Sequence, residues 1–578
     1  MLNGRTSALA PVALALVTLI AAGCAADQAR TAPADLVLRN GHIVTVDSTL
    51  PEAQAVAVRG YEIIAVGTDD EIDAYIGEET EVVDLNGRLA VPGFIEAHGH
   101  YMGLGRAKMI LDLTKARAWE DIVSLVGAAA RDAGRDAWIA GRGWHQEKWD
   151  SIGEPTFDGV PAHASLSAVS PANPVYLTHA SGHAAFANGR ALELAGIDRD
   201  TPNPPGGEIV RDDDGNPTGL LRETAQGLVG RVMSRAQAQR SPQEIEAEAR
   251  RMVELAGQAA LENGVTSFHD AGSDFETIDF LKELEAEGRL PVRLYVMVRG
   301  EPNDTLAARL KDYRMVAEGN DFLTVRSIKH SIDGALGAHG AWLLAPYADM
   351  PSSAGLNTTD PAVIERTAQI AIENGFQVNT HAIGDRANRE VLDIYERTFA
   401  AHPDRTDVRW RIEHAQHLDE AEIPRFAQLG VIAAMQGVHA TSDGPWIDKR
   451  LGQERARIGA YVWRDLLDSG AVIANGTDVP VEDINPIASF YATVARRLAD
   501  GSVFFESQRL TRDEALHSYT LANAYAAFEE DIKGSITPGK LADIVVLSKD
   551  IMTIPEDEIP TAQVDATIIG GRIVFERR

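Results

Sequence analysis

The chain of 578 residues has one cysteine, Cys24, so no disulfide can form within it. Positive charge is scarce too: 54 lysines and arginines stand against 85 aspartates and glutamates, a formal net charge of −31. Binding to phosphates needs a basic face, so nucleic acid is not an expected partner and the acid excess reads as a solvated surface. Long apolar runs are missing as well. The stretch from Ala8 to Ala22 falls short of the ~20 residues that a helical membrane span needs. No internal repeat stands out, and the only low-complexity piece is the linker after Cys24. What is present, 45% hydrophobic residues, is ordinary for a globular protein, and the length of 578 residues suits a large barrel with an accessory domain.

The first residues, MLNGRTSALAPVALALVTLIAAGCAADQAR, place Arg5 before the apolar stretch and Gly23-Cys24 after it. This is a signal-peptide pattern and is set aside from fold reasoning. The end of it resembles the bacterial lipoprotein processing box, although Ala21 stands where Leu is usual. The expectation is a signal peptide over 1–23, a linker over 24–34, and an exported, periplasmic or cell-envelope protein anchored to the membrane by a lipid on Cys24. Ordinary cleavage nearby would leave Cys24 a bystander.

From Asp35 the text is strand-like: DLVLRNGHIVTVD, AVAVRGYEIIAVG and TEVVDLNGRLAVPG are β-branched runs broken by turn residues. GSITPGKLADIVVLSKD and VDATIIGGRIVFERR repeat that language at the C-terminus. Neither piece is long enough for a good core alone, so segments 35–91 and 536–578 are expected to pack together as one β-sandwich. Between them, over 92–535, apolar runs alternate with Ala/Glu/Arg-rich helical segments. One is SPQEIEAEARRMVELAGQAALENG, with Ser241 as N-cap, Glu244 completing a capping box, and an Asn-Gly stop. Strand-like runs recur in VPGFIEAHGH, VTSFHDAG, VRLYVMV, TVRSIKHSIDG, FQVNTHAIGD, VRWRIEHAQH, VIAAMQG and AVIANGTDVPV. So many β-then-α units predict an α/β fold whose parallel strands close into a (β/α)8 barrel.

Residues of ligand type stand at the ends of these runs: His98 and His100, Lys329, His381, His414 and Asp478. In a barrel those ends share one mouth. Residues i and i+2 of a strand point to one side, so His98 and His100 can share a metal. Four histidines, an aspartate and a modified lysine would be enough for two divalent ions. His and carboxylate donors suit zinc best and also accept manganese, iron or cobalt.

The chain resembles the amidohydrolase superfamily, in the amidohydrolase family 3 group that includes N-substituted formamide deformylase and the YtcJ-like proteins. The matching text is VPGFIEAHGH, GRGWHQEKW, PGGEIVRDDDGNPTGLLRE, IKHSIDGALGAHGAWL, THAIGDRAN, RIEHAQHL, NGTDVPVEDINP, LTRDEALHSYTLANAYAAF and GSITPGKLADIVVL, from about Leu36 to the end. The resemblance implies a distorted (β/α)8 TIM barrel carrying a small β-sandwich built from both termini. It implies His98 and His100 as ligands of a first metal and His381 and His414 as ligands of a second. Lys329 would be the strand lysine that can be carboxylated and bridge both ions. Asp478 would touch the first metal and handle the proton. One metal with an unmodified lysine remains the other arrangement.

The implied activity is hydrolysis of a non-peptide C–N bond in a small molecule, an N-acyl, N-formyl or cyclic amide. A deaminase, an esterase or lactonase, or a lipoprotein that binds metal or solute without turnover are the alternatives. Some positions depart from the family's usual text: Glu96 stands where Asp is usual, His179 and Ser181 where Arg and Asp are frequent, and His339 where Arg is common. His183 keeps its place and is a candidate for gripping the substrate or its oxyanion. Trp144 and His145 are candidates to line the pocket, and His439 to touch substrate after the seventh strand. His269, His330 and His417 are read as structural. Oligomeric state has no signal in the text.

Overall fold

Eight strands carry the centre of the protein: β1 (Phe94–Gly99), β2 (Val265–Ser273), β3 (Arg293–Val298), β4 (Leu323–Ser331), β5 (Gln377–Ala382), β6 (Arg411–His414), β7 (Ile432–Gln436) and β8 (Ile473–Gly476). The computed structural model describes residues 32–152, 156–157 and 159–578. The expected signal peptide and Cys24 lie outside the described residues. Each strand pairs in parallel with the next. All six residues of β3 and all six of β5 are buried, as expected for parallel strands covered on both faces. These are the eight runs read from the sequence.

The seam between β1 and β8 is closed by fewer, specific bonds. Asp478 N–H donates to the His98 carbonyl (2.8 Å) and His100 N–H to the Val479 carbonyl (2.7 Å). Lower down, the Asn523 amide donates to the carbonyls of Ile95 (2.6 Å) and Asn475 (2.8 Å). Closure therefore holds His98 and Asp478 side by side.

The helix Pro242–Glu262 begins as the sequence predicts. Ser241 caps it, Glu244 completes the capping box, and it stops at Asn263. Among the described residues, no helix is long and apolar enough to cross a membrane.

Segments near both ends of the described chain build the accessory β-structure. Ile544–Leu547 runs antiparallel to Leu89–Pro92, and Leu36, Val56, Ile63, Ala90, Ile544, Val546 and Ile568 form one buried cluster. A buried ion pair ties this unit to the barrel: Arg293 of β3 reaches Asp543 through two bonds of 2.8 and 3.0 Å, with 2% and 4% of the side chains exposed.

The stretch between β1 and β2 holds an additional six-stranded sheet, from Leu111–Asp112 to Pro217–Glu223, with its own core around Trp119, Trp144, Leu166, Leu177 and Phe186. The sequence reading ran this stretch together with the barrel. Two of its strands, IAGRGW and AAFA, are rich in Gly and Ala, and such strands carry little β signal.

Candidate active site

Five barrel strands deliver six polar groups to one point. His98 and His100 both approach Asp478 Oδ1, from Nε2 at 3.5 and 3.2 Å. His414 Nδ1 lies 3.9 Å from Asp478 Oδ2. Lys329 Nζ is 3.4 Å from His98 Nε2. The His381 ring centre is 4.6 Å from that of His414, which is 4.7 Å from that of His98. Donor atoms of His98, His414 and Asp478 fall within 4.8 Å of one another, a spacing that could hold a metal ion. Two of the six need unusual backbone: His414 has φ +79° and Asp478 φ +58°, a region that non-glycine residues enter rarely and that clusters at functional sites.

Behind this layer lies a buried charge relay that sequence reasoning missed. Glu413 accepts from His98 Nδ1 and is paired with Arg411 Nε at 2.7 Å, both side chains fully buried. Arg411 also donates to the Ala97 carbonyl at 2.6 Å. A carboxylate on one imidazole nitrogen fixes the tautomer and turns the other nitrogen's lone pair toward a metal. Gln436 Oε1, 2.8 Å from His414 Nδ1, does the same for His414. Glu96 acts through the backbone. Its Oε1 accepts from Thr477 N–H (2.7 Å) and His98 N–H (3.2 Å), and its Oε2 from the Thr477 hydroxyl (2.8 Å). A Cβ at Gly476 would stand 2.2 Å from Glu96 Oε1, so that position must be glycine. Glu96 thus pins β1 to the end of β8, and burial raises its carboxyl to about 8.

Electrostatics favours cation binding here. Burial, reinforced by the Lys329 charge, lowers His98 to about 4. Burial also holds His381 and His414 well below the usual imidazole value. These rings are neutral, with lone pairs to donate. Burial alone would raise Asp478, but His98, His100 and His414 hold it well below the ordinary carboxylate value. Burial, with Arg299 adding to it, brings Lys329 down to about 7. His381 Nε2 and Asp478 Oδ1 are buried without a hydrogen-bond partner. His381 Nε2 is 3.4 Å from Asp333 Oδ1 but is not aligned to bond with it. Orphaned buried polar atoms are costly, and a divalent cation would satisfy them.

The cleft above is walled by His145, His179, His183, His439, Trp446 and Glu482. His183 comes from the additional sheet. Its Nδ1 lies 2.8 Å from Glu223 Oε2, and its ring centre is 5.0 Å from that of His381. Glu223 was not legible in the sequence: a Cβ at Gly334 would stand 2.0 Å from its Oε1, a fit that only the fold reveals.

Trp144 is a correction. It is 1% exposed, packed 4.6 Å from His179 and 6.0 Å from Trp149, and its Nε1 donates to the Leu177 carbonyl. Trp144 is the core of the additional sheet, and its neighbour His145 reaches the cleft. His339 pairs with Asp349 at 3.2 Å and does not line the cleft. His330 is bonded to Thr367 at 2.8 Å, and His269 lies 3.3 Å from Arg411. A cavity of about 790 Å³ opens at the other end of the barrel, near Val472 and His42, away from all six groups.

The Amidohydrolase family model matches residues 81–575. Protein LONG AFTER FAR-RED 3 of Arabidopsis thaliana is 34% identical over 557 residues, covering 94% of this chain and 92% of the relative. The N-substituted formamide deformylase of Arthrobacter pascens is 28% identical over 557 residues, covering 94% and 98%. Among solved structures, an uncharacterized metal-dependent hydrolase from Pyrococcus horikoshii aligns with TM-score 0.71 at 27% identity, covering 90% of this chain and 99% of that one.

Proposed function

The chain belongs to the amidohydrolase family, and from that premise we propose that it hydrolyses a non-peptide C–N bond of a small N-acyl, N-formyl or cyclic amide. The observation that carries this reading is the convergence of neutral imidazoles from β1, β5 and β6 on the ionised Asp478 after β8. His98 and His100 would hold a first divalent cation with Asp478, and His381 and His414 a second. The donor set suits zinc best and also accepts manganese, iron or cobalt. Bound there, the cation would supply Lewis acidity toward a carbonyl and toward water.

Lys329 would join as its carbamate. The neutral amine adds to CO2, loses a proton, and becomes an anionic group with two oxygens that can bridge two ions. Its burial and its place beside His98 support this role. Asp478, which lies beside His98, His100 and His414, would take a proton from the attacking water and return it to the leaving nitrogen. The water oxygen bonds to the carbonyl carbon, the C–N bond breaks, and an acid and an amine leave. His183, held by Glu223, and His439 would grip the substrate from two sides. The cleft's free volume, about 60 Å³, favours a small acyl group. The name of the Arthrobacter relative, a deformylase of N-substituted formamides, points the same way.

Asp478→Asn tests the mechanism. Turnover should fall by about 10²–10⁴-fold, the usual worth of a general acid–base, while the metal stays bound. A wild type that turns over nothing in a panel of amides, esters and lactones, with metal loaded, would favour a binding protein instead. We also propose that residues 1–23 direct export and that Cys24 carries a lipid. Fatty-acid labelling should then be lost in Cys24→Ser.

A further inference from the structure

We propose that His439 is a catalytic hydrogen-bond donor to the substrate's carbonyl oxygen, and that Gln416 is the positioning residue that fixes its tautomer; both rest on the amide-hydrolase reading above. His439 follows β7, is 7% exposed and lines the same cleft as His414 and Asp478. The Gln416 amide nitrogen donates to His439 Nδ1 at 3.1 Å. A neutral imidazole that accepts at Nδ1 carries its proton on Nε2. That Nε2 is buried and has no hydrogen-bond partner. Buried N–H groups are rarely left unpaired, so an acceptor from outside the chain is the missing partner.

Position says which acceptor. The rings of His183, His381, His414 and His439 are successive neighbours, with centres 5.0, 4.6 and 6.1 Å apart, and His439 lies nearly parallel to His414, at 20°. His439 is thus the immediate neighbour of the ligand-type His414, as His183 is of His381. The carbonyl under attack must sit above those histidines. Its oxygen gains negative charge as water adds, and a fixed neutral donor is worth more to that oxygen than to the ground-state carbonyl. His439 can do this without changing protonation state.

The experiment uses the zinc-reconstituted full chain with N-butylformamide and its thioformamide analogue, whose sulfur is a weak acceptor. His439→Ala should lower kcat on the formamide by about 10²-fold or more while KM moves by less than about threefold, and should lower kcat on the thioformamide by under about tenfold. His439→Gln, which keeps an N–H, should retain more activity than the alanine variant, and Gln416→Leu should lose less than His439→Ala. Nitrogen NMR of histidine-labelled free protein should place the His439 proton on Nε2, and on a mixture of the two nitrogens in Gln416→Leu. Equal losses on both substrates, an effect on KM alone, or a proton on Nδ1 in the wild type overturns the proposal. If the loaded wild type leaves N-butylformamide intact, the amide-hydrolase reading fails for that substrate, and the NMR result still decides the donor assignment.

Discussion

Replacing Glu413 by leucine should do two separable kinds of damage. Glu413 and Arg411 are fully buried and 2.7 Å apart, so Glu413→Leu leaves a guanidinium buried without its counter-charge. Breaking such a pair costs about 3–5 kcal/mol. Arg411 keeps its bond to the Ala97 carbonyl, which places the loss near the lower end, about 3 kcal/mol. In the double variant Arg411→Met/Glu413→Leu no charge is stranded, and the cost beyond the His98 Nδ1 group that both variants leave without its partner is the unpaired Ala97 carbonyl, about 1 kcal/mol. Urea unfolding should therefore show the double variant more stable than the single by about 2 kcal/mol. Metal affinity should not recover with stability. Both variants lose the acceptor on His98 Nδ1, and loss of such a support weakens metal binding by about 10–100-fold, read by titration against a chelator. A double variant no more stable than the single, or unchanged metal affinity in both, would refute the reasoning. The pH dependence has a definite sign. Burial alone would raise Glu413, but Arg411 and His98 hold it well below its ordinary 4.5. Its contribution is fully present above that pH and is lost as pH falls toward the folded-state value. Glu413→Leu should lack this acid-side decline.

Three other outcomes are expected. Glu96→Gln keeps hydrogen-bonding atoms at Thr477 and His98 and should fold within about 1 kcal/mol of the wild type, whereas Glu96→Ala, which strands those donors, should lose about 2–3 kcal/mol in the same urea assay. Asp543→Ala leaves the buried Arg293 without its counter-charge, keeping its bond to the Asn320 carbonyl, and should cost about 3 kcal/mol, with melting temperature as the check. Carbon-13 bicarbonate should give a carbamate NMR signal in the metal-loaded wild type that is missing in Lys329→Met.

Much of the barrel was legible because buried parallel strands are nearly continuous apolar text, and a His, Lys or Asp at the end of five of these runs stands out against it. The pair His98 and His100 followed from alternation alone, and they do meet at Asp478. Glu413 was hidden by the same rule. On a regular strand Arg411 and Glu413 share a face and His414 takes the other; the positive φ of His414 brings both Glu413 and His414 to the site. Glu223 was hidden for a different reason: it reaches His183 from Pro217–Glu223 of the additional sheet, about forty residues away in the chain, and only the fold brings the two together. Trp144 illustrates the converse error: an aromatic beside a cleft-lining histidine points the opposite way along its strand, into the sheet's core.

The central claim is that these strand ends hold a divalent cation that the chemistry requires. Metal analysis of the gently purified full chain, alongside His98→Ala/His414→Ala and with turnover of N-acyl compounds measured on the same samples, tests it most directly. At least one zinc or similar ion per chain is predicted in the wild type, with metal and turnover both lost in the variant. Less than one ion per chain, with no turnover restored by added zinc or manganese, would contradict it.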